Sequence, residues 1–139
     1  MNLPHALIST FLQTFDTKDW GLMESCLADE IWVDYSSFRG TEPHWVFREA
    51  YIAQRRSGTH HLDTKHSIKI TSCVEKGGLY VCEGGFEIER FTPDKSRFFH
   101  SYGTYIFDLE KYEGAFKIKK IVQKVSRNEG EPSIHGAFL

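Results

Sequence analysis

The sequence predicts an α+β fold in which helices come first and a long antiparallel sheet follows. Two observations indicate this class. Apolar residues recur at helical spacing near the N-terminus, whereas apolar and polar residues alternate in long segments from about residue 60 onward. Helices that precede a long curved sheet can pack against its concave face and leave a cavity between the layers. We therefore expect a curved, mainly antiparallel sheet around three N-terminal helices, with an internal pocket.

The helical part of the prediction has three segments. Apolar residues from Leu3 to Phe15 recur with helical period, which predicts a first helix over residues 3–15. A second, short helix follows Thr17, which can cap it. The third helix is predicted over roughly residues 43–55, with Pro43 in its first turn.

Strands make up most of the remaining prediction. IWVDYS (31–36) alternates and predicts a strand between the second and third helices, with Tyr35 and Asp34 on opposite faces. Gly84-Gly85 indicates a bulge, and the tail after residue 125 has no clear pattern. Four long strands separated by turns such as KGG and TPDKS are predicted over residues 60–74, 79–91, 97–110 and 115–125.

Composition narrows the function classes. The chain has 139 residues, a size typical of one domain spanning 1–139, and a formal net charge of −2 without a basic block, which argues against nucleic acid. Neither a membrane-spanning run nor a signal peptide is recognisable, so we expect a cytoplasmic protein with no membrane partner. Three cysteines without a compact framework predict free thiols in a reducing compartment.

Acids and histidines are the candidates for chemistry. His60 and His61 are adjacent, so in a strand they would point to opposite faces, and we expect no metal site there. A single imidazole in an aromatic cavity would be a natural general base, with Asp16 as its orienting carboxylate. Alternatively, His61 lies at the surface and Asp16 helps to cap the second helix. Simple alternation places His60, not His61, on the face of Ile68.

Four short motifs resemble the scytalone dehydratase family, part of the SnoaL-like, nuclear transport factor two-like superfamily. They are FDTKDW (15–20), VDYSSF (33–38), THH (59–61) and EGAFKI (113–118). The resemblance implies a cone-shaped α+β fold with a deep pocket. It also implies dehydration of a ring substrate without cofactor or metal. Hexachlorocyclohexane dehydrochlorinase, in the same superfamily, has an Asp–His pair in matching places.

The resemblance also implies roles for individual residues. Asp16 matches the aspartate that orients the catalytic histidine, and His61 matches that histidine. Tyr35 matches a tyrosine that holds, with a partner tyrosine, the water bound to the substrate carbonyl. Phe15 stands in place of that partner, and Phe38 matches a pocket phenylalanine.

Several positions depart from the family pattern. A gapless count from EGAFKI places Gly103 and Tyr105 where the family has a pocket serine and asparagine, and Ile88 near its second histidine. Fewer polar side chains are therefore expected around the substrate here than in the family. Phe15, Phe38, Ile88 and Tyr105 are expected to form apolar walls for a planar ligand.

Together these features predict one SnoaL-like domain with cofactor-free, dehydratase-like lyase activity. Asp16, His61 and Tyr35 would act on a small, apolar, cyclic substrate that bears a carbonyl or phenol group. Isomerase or cyclase chemistry needs the same groups. A non-catalytic small-molecule-binding protein and a structural dimerisation module are the alternatives from other classes. The resemblance also implies a homo-oligomer, with a trimer favoured slightly over a dimer.

Overall fold

The computed structural model describes residues 3–136 and has the predicted α+β architecture. Within that range a short 3₁₀ turn, Pro132–Ile134, follows the last strand. The helices are α1 (Leu3–Thr17), α2 (Trp20–Cys26), α3 (Ser36–Arg39) and α4 (Arg48–Thr59). The strands are β1 (Leu27–Asp34), β2 (His44–Phe47), β3 (Asp63–Lys76), β4 (Leu79–Phe91), β5 (Phe99–Tyr112) and β6 (Ala115–Gly130).

The six strands form one sheet in the order β2-β1-β6-β5-β4-β3. Every neighbouring pair is antiparallel except β1 and β6, which run parallel. The sheet is therefore mixed, although mainly antiparallel as predicted. Helix α1 packs against α2, β3 and β6, and α4 packs against β1 and β2.

Aromatic side chains join α1 to the sheet. Phe11 is completely buried, and its ring meets that of Phe107 on β5 edge-on, with centroids 6.1 Å apart. Phe15 lies one turn further along the same face and is also buried. Burying a phenylalanine side chain contributes about 1.5–3 kcal/mol, so this helical stripe fixes the position of α1 on the sheet. Asp16, next to Phe15, is thereby brought to the edge of β3.

The third predicted helix is displaced by about one turn. Residues 44–47 (HWVF) form β2, and α4 starts only at Arg48. The prediction extended the helix back to Pro43, although aromatic and β-branched residues favour strands. The displacement matters for the cavity, because Tyr51, Arg55 and Thr59 are four residues apart and all buried on one face of α4.

The strand predicted from residue 60 begins at Asp63 instead. His60 and His61 therefore lie in the turn after α4, where strand alternation does not apply. Thr17 does not cap the second helix either, because Asp19 does so by accepting a hydrogen bond from the Leu22 backbone N–H at 3.1 Å.

The predicted bulge belongs to the partner strand. Gly84 pairs with Ile70 and Glu83 with Ser72, so Thr71 of β3 is the extra residue. The C-terminal part is also more ordered than its composition predicted. Strand β6 continues to Gly130, and the turn after it buries Ile134 and His135.

The prediction of three free thiols is wrong for two of them. Cys73 and Cys82 form a disulfide, whereas Cys26 is a free and buried thiol. The argument for a reducing compartment depended on free thiols and is lost with them. The hairpin itself indicates the disulfide, because a two-residue turn at Gly77-Gly78 places the two cysteines directly opposite each other. No helix in the described range is long and apolar enough to cross a membrane.

Candidate active site

A small cavity lies where α1, α3, α4 and the inner face of the sheet meet. Its free volume is about 30 Å³, which is room for one or two water molecules and not for a ring. A cyclic ligand therefore requires the wall to move. The lining residues are Phe15, Tyr35, Phe38, Arg39, Arg55, Thr59, His66, Ile88, Arg90, Tyr105, Gln123 and His135.

One histidine of this lining is paired with a carboxylate. The Nδ1 of His66 lies 2.6 Å from Oδ1 of Asp16, and the His66 backbone N–H donates to Oδ2 at 2.8 Å. The Thr64 hydroxyl donates to Oδ1 at 2.9 Å. Both carboxylate oxygens are thus engaged, so Asp16 holds the imidazole and the strand carrying it in one orientation.

The pairing determines which nitrogen of His66 is available. An ionised carboxylate can only accept, so Nδ1 carries the hydrogen and Nε2 is left with its lone pair. Desolvation by burial lowers the pKa of His66, and Asp16 only partly opposes this effect. The ring is therefore neutral at pH 7. It stacks on Phe15, with centroids 4.7 Å apart, and only 5% of its side chain is exposed.

The predicted pairing of Asp16 with His61 is wrong. His61 lies in the turn after α4, and its Nε2 donates to the backbone carbonyl of Ile134 at 2.7 Å. His61 is not among the described residues that line the cavity. His61 instead fastens the C-terminal turn that carries His135 into the cavity.

Strand periodicity would have identified the correct histidine. Thr64, His66, Ile68 and Ile70 alternate with exposed residues along β3, so His66 shares the inward face of the two isoleucines. The prediction relied on the THH triplet and treated it as part of the strand. Asp34 lies outside the pair, as expected, and accepts hydrogen bonds from the Ser36 backbone N–H and hydroxyl instead.

Tyrosine hydroxyls form a second polar group near the cavity. The hydroxyls of Tyr35 and Tyr51 are 2.7 Å apart, and the Gln123 amide donates to the Tyr105 hydroxyl at 2.9 Å. Burial raises the pKa of Tyr51 and of Tyr105, so both remain protonated at neutral pH. The partner hydroxyl of Tyr35 is thus supplied by Tyr51, which the sequence prediction did not name.

Three arginines also converge on the cavity. Arg55 lies over the rings of both Tyr35 and Tyr51, with its Cζ 4.5 and 4.6 Å from their centroids. Arg90 lies against Phe38 and donates to the Ser101 hydroxyl at 2.9 Å. Arg39 comes from the short helix α3 and is half-buried. No sequence motif signalled these residues, because they come from α3, α4 and β4.

The sequence matches the SnoaL-like domain over residues 5–122, which is most of the chain. The chain belongs to this family. The match includes Asp16, His66 and all three arginines of the cavity. No curated protein has a significant match to the chain.

Three solved structures illustrate how widely the fold is shared. The Kfla4162 protein from Kribbella flavida has a TM-score of 0.85 at 18% identity, covering 96% of this chain and 93% of its own. A proposed scytalone dehydratase from Novosphingobium aromaticivorans has a TM-score of 0.74 at 12% identity, with 94% and 87% covered. A hexachlorocyclohexane dehydrochlorinase from Novosphingobium barchaimii has a TM-score of 0.70 at 12% identity, with 96% and 90% covered.

The SnoaL-like fold brings most of the predicted site residues to one place. Tyr35 lines the cavity, and Asp16 lies directly behind it through His66. His61 alone is displaced from the predicted group. The predicted wall residues Phe15, Phe38, Ile88 and Tyr105 all line the cavity, and their roles in binding stay predictions.

Proposed function

We propose that the chain is an acid–base enzyme, a dehydratase-like lyase or an isomerase, acting on a small cyclic substrate with a carbonyl or phenol group. The observation that carries the proposal is the hydrogen bond of 2.6 Å between His66 and Asp16 at the cavity wall. A neutral imidazole with one nitrogen held by a carboxylate and the other free is the arrangement required of a general base.

The reaction begins with transfer of an acidic C–H proton to Nε2 of His66. The C–H bonding pair becomes the new C=C bond, and Asp16 stabilises the imidazolium. In an elimination, the leaving hydroxyl departs with its bonding pair and takes the proton from His66 as water. In an isomerisation, the same proton returns to another carbon. Positioned proton transfer of this kind contributes about 10²–10⁴-fold in rate.

Tyr35 is proposed to polarise the substrate carbonyl. Its hydroxyl is paired with that of Tyr51, so one of the two hydroxyls donates to the other and the remaining hydrogen can point to a ligand. A buried donor directed at a developing oxyanion stabilises the transition state more than the ground state. Tyr35 would thus hold the enolate formed when His66 removes the proton.

Similarity to named enzymes supports elimination as the first reaction to test. Two structures that share the fold are described as a proposed scytalone dehydratase and a hexachlorocyclohexane dehydrochlorinase, and both names denote elimination reactions. At 12% identity this similarity covers the fold alone. The assignment of chemistry therefore depends on the pair formed by Asp16 and His66.

Proton exchange tests the proposal before the natural substrate is known. Cyclic ketones and phenols are incubated with the protein in D₂O, and loss of the acidic C–H signal is followed by NMR. We expect exchange with the parent protein and at least about 100-fold slower exchange with His66→Gln. His44→Gln, which changes an exposed histidine of β2, is the control. Equal exchange in the parent and His66→Gln would refute the mechanism, and ligand binding without exchange would indicate a binding protein.

A further inference from the structure

The cavity concentrates positive charge without a matching negative charge. Arg39, Arg55 and Arg90 all line it, and none of the described lining residues is acidic. The carboxylate of Asp16 lies behind the lining and is occupied by His66 and Thr64. Other arginines of the described chain, such as Arg48 and Arg97, have carboxylate partners at the surface.

Two of these cations are deeply buried. Arg55 is 6% exposed and Arg90 is 3% exposed. Arg55 donates to the Gln54 side chain at 3.3 Å, but its Nε is buried without a hydrogen-bond partner among the described residues. Buried charges are normally paired, because removing a guanidinium from water is costly. Stacking on aromatic rings offsets part of that cost, and the buried Nε–H of Arg55 is left as a donor for a ligand.

We propose that the cavity binds its cyclic substrate through a carboxylate seated among Arg39, Arg55 and Arg90. The reaction on the ring rests on the proposed function, whereas recognition of the anion does not. A planar carboxylate matches the geometry of guanidinium donors. The flat ring attached to it fits the remaining lining, which includes Phe15, Phe38 and Ile88.

The free space of the cavity indicates which arginine must move. About 30 Å³ cannot hold a ring, so part of the wall is displaced on binding. Arg55 and Arg90 are fixed by stacking on aromatic rings, whereas Arg39 is half-buried and belongs to a helix of only four residues. Desolvation by burial, together with the like charge of Arg55, lowers the pKa of Arg39 to about 10. It remains charged at neutral pH, and an entering anion relieves this repulsion.

Equilibrium binding of benzoate tests the inference independently of turnover. Calorimetric titrations compare benzoate, its uncharged counterpart benzamide, and inorganic phosphate on the full chain. We expect benzoate to bind about 10- to 100-fold more tightly than benzamide, the range for a hydrogen bond to a charged group. Phosphate should bind more weakly than benzoate, because it cannot use the apolar walls.

Variants locate the binding site. Arg55→Met and Arg39→Met should each remove the preference for benzoate, whereas Arg56→Met should keep it. Arg56 is the neighbouring residue on α4, is exposed and does not line the cavity. The half-buried Arg39 provides a second test in case Arg55→Met folds poorly, which thermal unfolding of each unliganded variant would show.

The outcomes separate this inference from the proposed function. Equal binding of benzoate and benzamide, tighter binding of phosphate, or unchanged preference in both cavity variants would overturn the carboxylate site. His66→Gln should still bind benzoate in preference to benzamide. If proton exchange fails but that preference is present and depends on Arg39 and Arg55, the binding inference stands and the catalytic proposal falls.

Discussion

Replacing Asp16 with asparagine tests the central interaction of the site, because this carboxylate uses both of its oxygens. Oδ1 accepts from Thr64 and from the His66 ring, and Oδ2 accepts from the His66 backbone N–H. Asparagine has one oxygen and one NH₂ group. In one orientation the NH₂ group faces the backbone N–H of His66, and in the other it faces Nδ1 and forces that nitrogen to lose its hydrogen.

Asp34→Asn is the matched control. Both hydrogen bonds from Ser36 reach the same atom, Oδ1 of Asp34, at 3.0 and 2.6 Å, so an amide oxygen can accept both. For Asp16→Asn, a charge-assisted hydrogen bond is lost and a buried donor is left opposite another donor. We expect this to lower the free energy of unfolding by about 2–4 kcal/mol, against less than about 1 kcal/mol for the exposed control.

Urea unfolding at neutral pH measures the stability difference, and NMR correlation spectra of the histidine rings report which nitrogen is protonated. In the parent protein His66 should carry its hydrogen on Nδ1 and titrate below its ordinary pKa of 6.5. In Asp16→Asn the pKa of His66 should fall further, because Asp16 is what raises it. Equal stability of the two asparagine variants, with an unchanged His66 titration, would refute the reasoning.

Three further predictions concern other parts of the molecule. His61→Gln should reduce exchange activity less than about tenfold, because His61 bonds the Ile134 carbonyl and does not contact Asp16. A loss equal to that of His66→Gln would contradict the assignment of the base to His66. Thiol titration should find no reactive cysteine in the native protein and one, Cys26, after unfolding without reductant, since the other two cysteines are bonded. Burial lowers the pKa of His135 to about 2, below its unfolded value of 6.5. Its contribution to stability is therefore complete above pH 6.5 and is lost as the pH falls, by about 3 kcal/mol at about pH 4.5. Urea unfolding should accordingly show a smaller difference in the free energy of unfolding between about pH 7 and about pH 4.5 for His135→Gln than for the parent protein.

Sequence patterns located the elements that local signals define. The predicted strand over 79–91 coincides with β4, because strict alternation and a glycine turn bound it. Helix α1 also agrees to within two residues at its C-terminal end. Strand β2 was missed because its four residues are stabilised by pairing with β1, a contact that local periodicity does not reveal. The parallel pairing of β1 with β6 is non-local in the same way.

Gly103 shows that counting residues from a motif does not reveal local changes in strand register. The count placed a pocket serine there, but the pairing of β5 with β6 shifts register between Tyr102 and Gly103. A Cβ at Gly103 would lie 1.9 Å from the Lys124 carbonyl oxygen, so no larger residue fits without moving the strand. The missing serine is therefore a consequence of local backbone geometry.

The arginines could not be predicted from the sequence at all. Residues 39, 55 and 90 share no motif or spacing, and each alone resembles an ordinary surface cation. Their convergence depends on tertiary structure, which brings α3, α4 and β4 to the same cavity. For the same reason the expectation of an apolar pocket was incomplete, because aromatic residues were counted and the cations stacked on them were not.

The charge of the cavity and the basicity of His66 are physically linked. Arg90 contributes to the lowering of the His66 pKa, since a nearby positive charge disfavours the imidazolium. An anion bound to Arg90 would offset that effect, so the same histidine becomes a stronger base when a carboxylate is bound than when the cavity is empty.

Binding of benzoate at a pH below 6.5 should then be accompanied by proton uptake, which calorimetry detects as a dependence of the binding enthalpy on the buffer. His66→Gln should lose the part of that uptake that belongs to the imidazole while retaining affinity for benzoate. Substrate binding and activation of the base would in that case be two consequences of one electrostatic arrangement.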